Sequence, residues 1–340
     1  MIYVKPSIEW KDHVLAEDIN TDKGTLLLSK GHTLTEEDIS SLIDRKLEFI
    51  VLEKIETRID PEFTTLYNSC LTTVEAMFQA ASSQEKLEKE TLFEIFDELM
   101  NKMLTVPNLF MQLQTIKDID HYTFQHSLNV GAISALLARL YGFKDEEINR
   151  IGYAGFLHDI GKAFIPQSIL QKNSALTEEE YKVVQGHPHL SYDILLKNDI
   201  KDEYILSAAL MHHERLSGEG YPFGKQNEQI PIAAQIVAIA DVYDAISVDK
   251  VYKESLSPFH AYHELRQLAF QKELNAEIVV KFLEYISKLM EGKKVLLNSG
   301  LIGKVILAYS TEPNRPLIEV DSEFIDLRKN RELYIKKVLI

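Results

Sequence analysis

The stretch Ile151-Gly152-Tyr153-Ala154-Gly155-Phe156-Leu157-His158-Asp159-Ile160-Gly161-Lys162 decides how this chain is read. Ile148, Ile151 and Gly155 recur at helical spacing and His158 extends their stripe, so its imidazole is expected on the buried side of a helix over 145–157. Asp159 follows at the helix end. Gly161 is read as a sharp turn that brings Lys162 back toward the same pocket. A lone buried histidine is more often a hydrogen-bonded core residue than a ligand, so the reading depends on what else the chain holds.

Working outward, the polar pattern runs His126, His187-Pro188, His212-His213-Glu214, Gly220-Tyr221-Pro222 and Asp241. Imidazole and carboxylate together form the ligand set of a hard-to-borderline divalent metal. An Asp directly after a His can bridge two ions through its two oxygens, as a paired-metal hydrolytic site requires. The pattern therefore points to a metal-dependent phosphohydrolase. His212 continues the stripe Ile205, Ala208, Ala209, with His213 about 100° further round, so the pair serves one ion only at the helix edge. Asp241 lies in the apolar run Ile239-Ala240-Asp241-Val242-Tyr243, where a carboxylate is costly unless paired with a metal or a basic group. Asp244, one turn on, reads either as an exposed helix residue or as an acceptor behind the ligands. Pro188 marks a helix interruption able to aim His187 inward. His13, His32, His121, His189, His260 and His263 are taken as structural or surface residues.

The remaining composition narrows the class. With 45% hydrophobic and 26% charged residues over 340 positions, the chain is an ordinary globular one of two or three domains. No run of about 18 apolar residues is present, so no membrane span is expected, and the N-terminus lacks a signal peptide's apolar core. The one cysteine, Cys70, fits a reducing compartment, hence a cytoplasmic location. A net charge of −15 argues against general nucleic-acid binding. It leaves room for a small anionic substrate, because metal ions reverse the local potential.

Four segments are expected. Residues 1–60 form a small β-containing or α/β accessory module, with a strand at Thr25-Leu26-Leu27-Leu28, a capping box at Thr35-Glu36-Glu37-Asp38 and a strand at Phe49-Ile50-Val51-Leu52. Residues 61–117 are a helical linker or support segment. Residues 118–292 are a helical catalytic domain, with helices over 127–141, 145–157, 178–197, 202–215 and 231–248, and a further one opened by Ser257-Pro258. Residues 293–340 are a small β extension with strands at 295–297, 303–307, 317–320 and 333–335. The fold class is thus mainly α, a helical bundle with small β-containing modules at both termini.

From about 118 to 258 the chain resembles the HD-GYP domain, a cyclic di-GMP phosphodiesterase branch of the HD superfamily. The resemblance rests on His158-Asp159-Ile160-Gly161-Lys162, Ile165-Pro166, Ile169-Leu170, His187-Pro188, His212-His213-Glu214-Arg215, Gly220-Tyr221-Pro222 and Asp241-Val242-Tyr243-Asp244-Ala245. It implies an HD-type helical bundle. It also implies His126, His158, Asp159, His187, His212, His213 and Asp241 as ligands of two divalent ions, iron or manganese, with Asp159 bridging. By the same resemblance Lys162 contacts the scissile phosphate, Tyr221 borders the substrate pocket, and Lys250 and Lys253 hold the other phosphate. The implied reaction is attack by a metal-bridging hydroxide that linearises cyclic di-GMP, with GMP as the product of a further step. Three positions depart from the family pattern. Tyr122 stands where a carboxylate accompanies a third metal, Ser217 where Asp is usual, and Lys250 where Arg is usual, which exchanges a bidentate fork for a point charge. The rival readings are a phosphohydrolase for another cyclic dinucleotide or nucleotide, a receptor that binds cyclic di-GMP without turnover, and a docking protein whose Gly220-Tyr221-Pro222 loop contacts diguanylate cyclases (GGDEF proteins).

Overall fold

The computed structural model describes residues 2–339 apart from 5, 12, 22–24, 46, 48, 53–60, 106–121, 173, 248–257 and 310. Chain contacts divide it into two units. One joins Met1–Arg58 with Met290–Ile340, and the other is Ile59–Leu289.

In the first unit, β1 (Ile2–Val4) pairs antiparallel with β4 (Ile50–Leu52), and β2 (Ile19–Asn20) with β3 (Leu26–Leu28). Helix α1 (Glu36–Asp44) opens on the expected box. The Thr35 hydroxyl accepts from the Asp38 backbone, and the Asp38 carboxylate accepts back from the Thr35 backbone. Strands β5 (Lys294–Leu297), β6 (Ile302–Leu307), β7 (Leu317–Val320), β8 (Glu323–Asp326) and β9 (Ile335–Leu339) form an antiparallel sheet in the order β8-β7-β6-β5-β9.

Where the sequence reads two separate terminal modules, the structure has a shared core. Trp10, Leu15, Leu34, Ile39, Leu42, Ile50 and Leu52 are buried together, and Ile302 of β6 and Leu339 of β9 pack against them. The Lys294 ammonium lies 4.9 Å from the centre of the Trp10 ring. Neither short segment carries enough apolar surface to stand alone, and each supplies the other's missing face. Strand β8 escapes the sequence reading because its turn, Asp321-Ser322, takes positive φ (49° and 67°) without a glycine. The last strand lies later than the 333–335 expectation.

The second unit is helical, as the periodicity requires. Its elements are α2 (Pro61–Ser82), α3 (Lys89–Thr105), α4 (Tyr122–Tyr141), α5 (Asp145–Leu157), a 3-10 turn (Ile160–Phe164), α6 (Gln167–Leu170), α7 (Glu178–Val184), α8 (His187–Lys197), α9 (Glu203–Met211), α10 (Ile232–Ser247), α11 (Pro258–Phe270) and α12 (Ala276–Leu289). Helix α4 is its axis, packing against α5, α10 and α2 and burying Val130, Ile133 and Leu137 completely. It ends at Gly142, whose φ of 108° is open to glycine and whose N–H bonds back to Ala138 O. The single helix expected over 178–197 is two. The break falls at Gln185-Gly186, and α8 restarts with Pro188 in its first turn, where no N–H is needed. The helix expected over 202–215 stops at Met211, which leaves His212 and His213 at its C-terminal edge.

Candidate metal centre

Five segments of the helical unit bring the histidines and carboxylates to one place. His126 comes from the first turns of α4, His158 and Asp159 from the end of α5, His187 from the start of α8, His212 and His213 from the end of α9, and Asp241 from α10. His126, His158, Asp159, His187 and His212 are buried, His158, His187 and His212 completely.

The ring protons decide what these imidazoles can do. Nδ1 of His158 donates to Gly155 O at 2.7 Å, Nδ1 of His187 to Val184 O at 2.7 Å and Nδ1 of His212 to Ala208 O at 2.8 Å. With the proton spent on a carbonyl, each Nε2 is left as a lone pair turned inward. His126 follows the same rule with a carboxylate, its Nδ1 donating to Asp244 at 2.8 Å. Asp244 is wholly buried, so the exposed alternative is excluded and it is the acceptor behind a candidate ligand.

The inward-turned Nε2 atoms converge on Asp159. Its Oδ1 lies 3.0 Å from His187 Nε2 and 3.7 Å from His212 Nε2, while its Oδ2 lies 3.2 Å from His158 Nε2 and 3.6 Å from His126 Nε2. Two groups therefore meet at one carboxylate: Asp159, His187, His212 and His213 on one side, His126, His158 and Asp159 on the other. Asp241 spans them, with Oδ1 3.1 Å from His126 Nε2 and Oδ2 4.0 Å from His213 Nδ1.

The approaches of His158 and His187 to Asp159 are not ordinary hydrogen bonds. His158 Nε2 and Asp159 Oδ1 are buried without a hydrogen-bond partner, even though His187 Nε2 is close enough to count as an ion pair. Both describe one geometry, in which acceptor faces acceptor with no proton between. His187 Nε2 and His212 Nε2 likewise face each other at 3.3 Å. Such an arrangement is unfavourable for protein atoms alone, and a divalent cation would resolve it. The donor set fits the cation the sequence implies.

Electrostatics point the same way. Burial, reinforced by His213, holds His212 well below its ordinary pKa, and burial lowers His213 to about 3, so both rings stay neutral. Burial raises the pKa of Asp159 and of Asp241, but the surrounding histidines, with Lys162 for Asp159, outweigh it and hold both carboxyls well below the usual range. For His126 burial acts against the charged form, yet Asp241 and Asp244 raise it to about 10. A proton and a metal ion thus compete for the same Nε2.

Lys162 reaches the rim, its ammonium bonded to Asp159 Oδ2. The glycine before it has a different use from the turn expected of it. A Cβ on Gly161 would sit 2.3 Å from His187 O and 2.5 Å from Ser191 N, so Gly161 lets two ligand-bearing segments touch. Tyr221 stacks on His213, ring centres 4.6 Å apart at 23°. Its loop is pegged by Glu214, a residue quoted in the sequence motif without a role. The buried Glu214 carboxylate accepts from Phe223 N at 2.7 Å and from Lys225 N at 2.9 Å. Lys250 and Lys253 lie outside the described residues.

A family model described as HD domain matches residues 102–278, more than half of the chain. The chain belongs to the HD domain family. Among curated relatives of this HD protein, a cyclic di-GMP phosphodiesterase of Pseudomonas aeruginosa is 33% identical over 248 residues, 73% of this chain and 59% of the relative. A 3′3′-cGAMP-specific phosphodiesterase of Vibrio cholerae is 38% identical over 133 residues, 39% of this chain and 26% of the relative. The chain thus spans under two thirds of the length of each. Among solved structures, Bd1817, a HDG"Y"P protein of Bdellovibrio bacteriovorus, aligns with a TM-score of 0.57 at 15% identity, covering 84% of this chain and 99% of that one. At that identity the likeness is one of fold, and it agrees with an HD-type helical bundle. Among the described residues no helix is long and apolar enough to cross a membrane.

Proposed function

We propose that this HD protein is an HD-GYP-type phosphodiesterase that hydrolyses cyclic di-GMP to the linear dinucleotide at a centre of two divalent ions, iron or manganese. The observation that carries the reading is Asp159, whose two oxygens face two separate groups of inward-turned histidine nitrogens. In this reading His126, His158, His187, His212, His213 and Asp241 complete the ligand set and Asp159 bridges it. The ions, when bound, supply Lewis acidity that makes water nucleophilic near neutral pH and neutralises phosphate charge.

The chain's own groups do the rest. Lys162, whose ammonium reaches the same carboxylate, is placed to hold a non-bridging phosphate oxygen through a charge-assisted hydrogen bond. It stays charged, because Asp159 and Asp241 raise its pKa against the effect of burial. Tyr221, rigid against His213, walls the pocket beside the reacting phosphate. Lys250 and Lys253 are assigned to the second phosphate of the substrate. A cyclic dinucleotide is an intracellular messenger, so the reading carries a cytoplasmic location. It extends to a contact between the Gly220-Tyr221-Pro222 loop and a diguanylate cyclase, made through the neighbouring Phe223, which is 48% exposed.

The names of the relatives favour two substrates, cyclic di-GMP and 3′3′-cGAMP, over others. Metal analysis of anaerobically purified protein, followed by turnover of each dinucleotide on the same sample, tests the proposal. Two metals per chain and faster hydrolysis of cyclic di-GMP are expected. A metal-loaded, folded protein that binds cyclic di-GMP without cleaving it would make the chain a receptor, and preference for 3′3′-cGAMP would overturn the substrate.

A further inference from the structure

Helix α2 contributes no candidate ligand, yet a buried hydrogen-bonded chain runs from it to the metal centre. The Tyr67 hydroxyl on α2 donates to Asn129 Oδ1 on α4 at 3.0 Å. Asn129 Nδ2 donates to Asp244 Oδ1 on α10 at 2.8 Å. The other oxygen of Asp244 accepts from His126 Nδ1 at 2.8 Å. All four side chains are buried, Tyr67 and Asp244 completely. Each donor meets an acceptor in a single order, because only one orientation of the Asn129 amide serves both neighbours.

We propose that Tyr67 is a positioning residue for the metal centre, setting the orientation of His126, and with it the metal affinity, through Asn129 and Asp244. The inference rests on the reading of His126 as a ligand. The physical case begins at Asp244. A carboxylate buried this deeply is costly, and an apolar replacement would serve packing as well or better. What the carboxylate adds is a fixed ring: it keeps the proton of His126 on Nδ1 and turns Nε2 toward Asp159 and Asp241. Asp244 can hold the ring only as firmly as it is itself held. Asn129 occupies its second oxygen; the acceptor-only carboxylate selects the N–H end of the amide, and the Tyr67 hydroxyl, donating to the Oδ1 left facing α2, holds that amide in place. Helix α2 also packs on the 160–164 turn that follows Asp159, so it touches both sides of the cluster. The segment that precedes the ligand-bearing helices is thereby part of what determines the affinity of the site.

Coupling of this kind is reciprocal. If Tyr67 steadies the ion, the ion steadies Tyr67 and the middle of α2. Mn(II) is titrated by calorimetry into metal-stripped parent, Tyr67→Phe, Asn129→Leu and His126→Ala proteins, with melting of each stripped sample as the control for folding. Loss of a partner behind a metal-bound histidine weakens binding by roughly ten- to a hundred-fold. Tyr67→Phe is expected near the lower figure and Asn129→Leu near the upper one. Hydrogen exchange over 61–82 is expected to slow when Mn(II) binds to the parent, and to slow less in Tyr67→Phe. A merely structural tyrosine would lower the melting temperature of the stripped protein and leave Mn(II) affinity untouched. Folded Tyr67→Phe and Asn129→Leu proteins that bind Mn(II) like the parent, while His126→Ala binds it more weakly, overturn this inference alone. Parent-like binding by His126→Ala overturns the reading of the metal centre and this inference with it.

Discussion

The Glu214 carboxylate and the Phe223 backbone N–H meet at 2.7 Å, the tightest of the bonds that tie the Tyr221 loop to the end of α9. The second carboxylate oxygen takes Lys225 N, and Tyr221 N donates to His213 O at 3.2 Å. One buried acid therefore pins the backbone just after Pro222, while the His213 carbonyl holds Tyr221 just before it.

Replacing Glu214 with Ala strands two backbone donors, at about 1–3 kcal/mol each where they stay buried. The loop is expected to loosen, raising KM for the dinucleotide while the metal content holds. Glu214→Gln keeps one acceptor and should fall between. Kinetics and metal analysis on the same samples check this, and loss of metal in a folded Glu214→Ala protein would count against a role confined to the loop.

Asp159→Ala removes the carboxylate shared by the two histidine groups. It is expected to release at least one ion and to abolish hydrolysis. Lys162→Ala should keep both ions and lose rate, by about ten- to a hundred-fold for a charged hydrogen bond of about 1.5–3 kcal/mol. If Asp159 were only a helix-end residue, its loss would cost stability alone. Metal stoichiometry, melting and turnover measured together separate the two.

The metal-free protein should be most stable near the ordinary histidine pKa of 6.5. His126, raised to about 10 by its carboxylates, contributes stability that is complete below 6.5 and fades as pH climbs to 10. His213, lowered to about 3 by burial, contributes stability that is complete above 6.5 and fades as pH falls toward 3. Melting of chelator-treated protein across that range should trace a dome. Bound ions should flatten its alkaline side, since they take the place of the proton on His126. A melting temperature that keeps rising from pH 6.5 to 10 without metal would contradict the assignment.

Gly161→Ala forces a methyl group into His187 O and Ser191 N. The expected cost is about 1–3 kcal/mol from overpacking, together with displacement of His187 from Asp159. The variant should therefore melt lower and bind metal more weakly. A positive-φ turn would have predicted strain alone, with the ligands left in place.

What could be read in the sequence follows the range of the interactions involved. The mainly helical fold, the capping of α1 by Thr35 and the end of α4 at Gly142 depend on neighbours a few residues away, and periodicity and cap chemistry report them. The His-Asp cluster was legible because its members carry unusual chemistry in apolar surroundings. Asp244 was legible only as one of two alternatives, since its partners His126 and Asn129 lie more than a hundred residues away and an Asp on a helix is unremarkable by itself. Glu214 was hidden for a related reason, as its partners are backbone atoms that could belong to any residue. The union of the terminal segments left no local trace either, because two half-cores look like two weak modules until they meet.

That union also bears on the order in which a ribosome delivers the chain. The core around Trp10, Leu15 and Leu52 waits for Ile302 and Leu339, which emerge only after all of the helical unit has been made. Trp10 and its neighbours must therefore remain incompletely covered throughout most of translation, and the helical unit, complete by Leu289, has the first opportunity to fold.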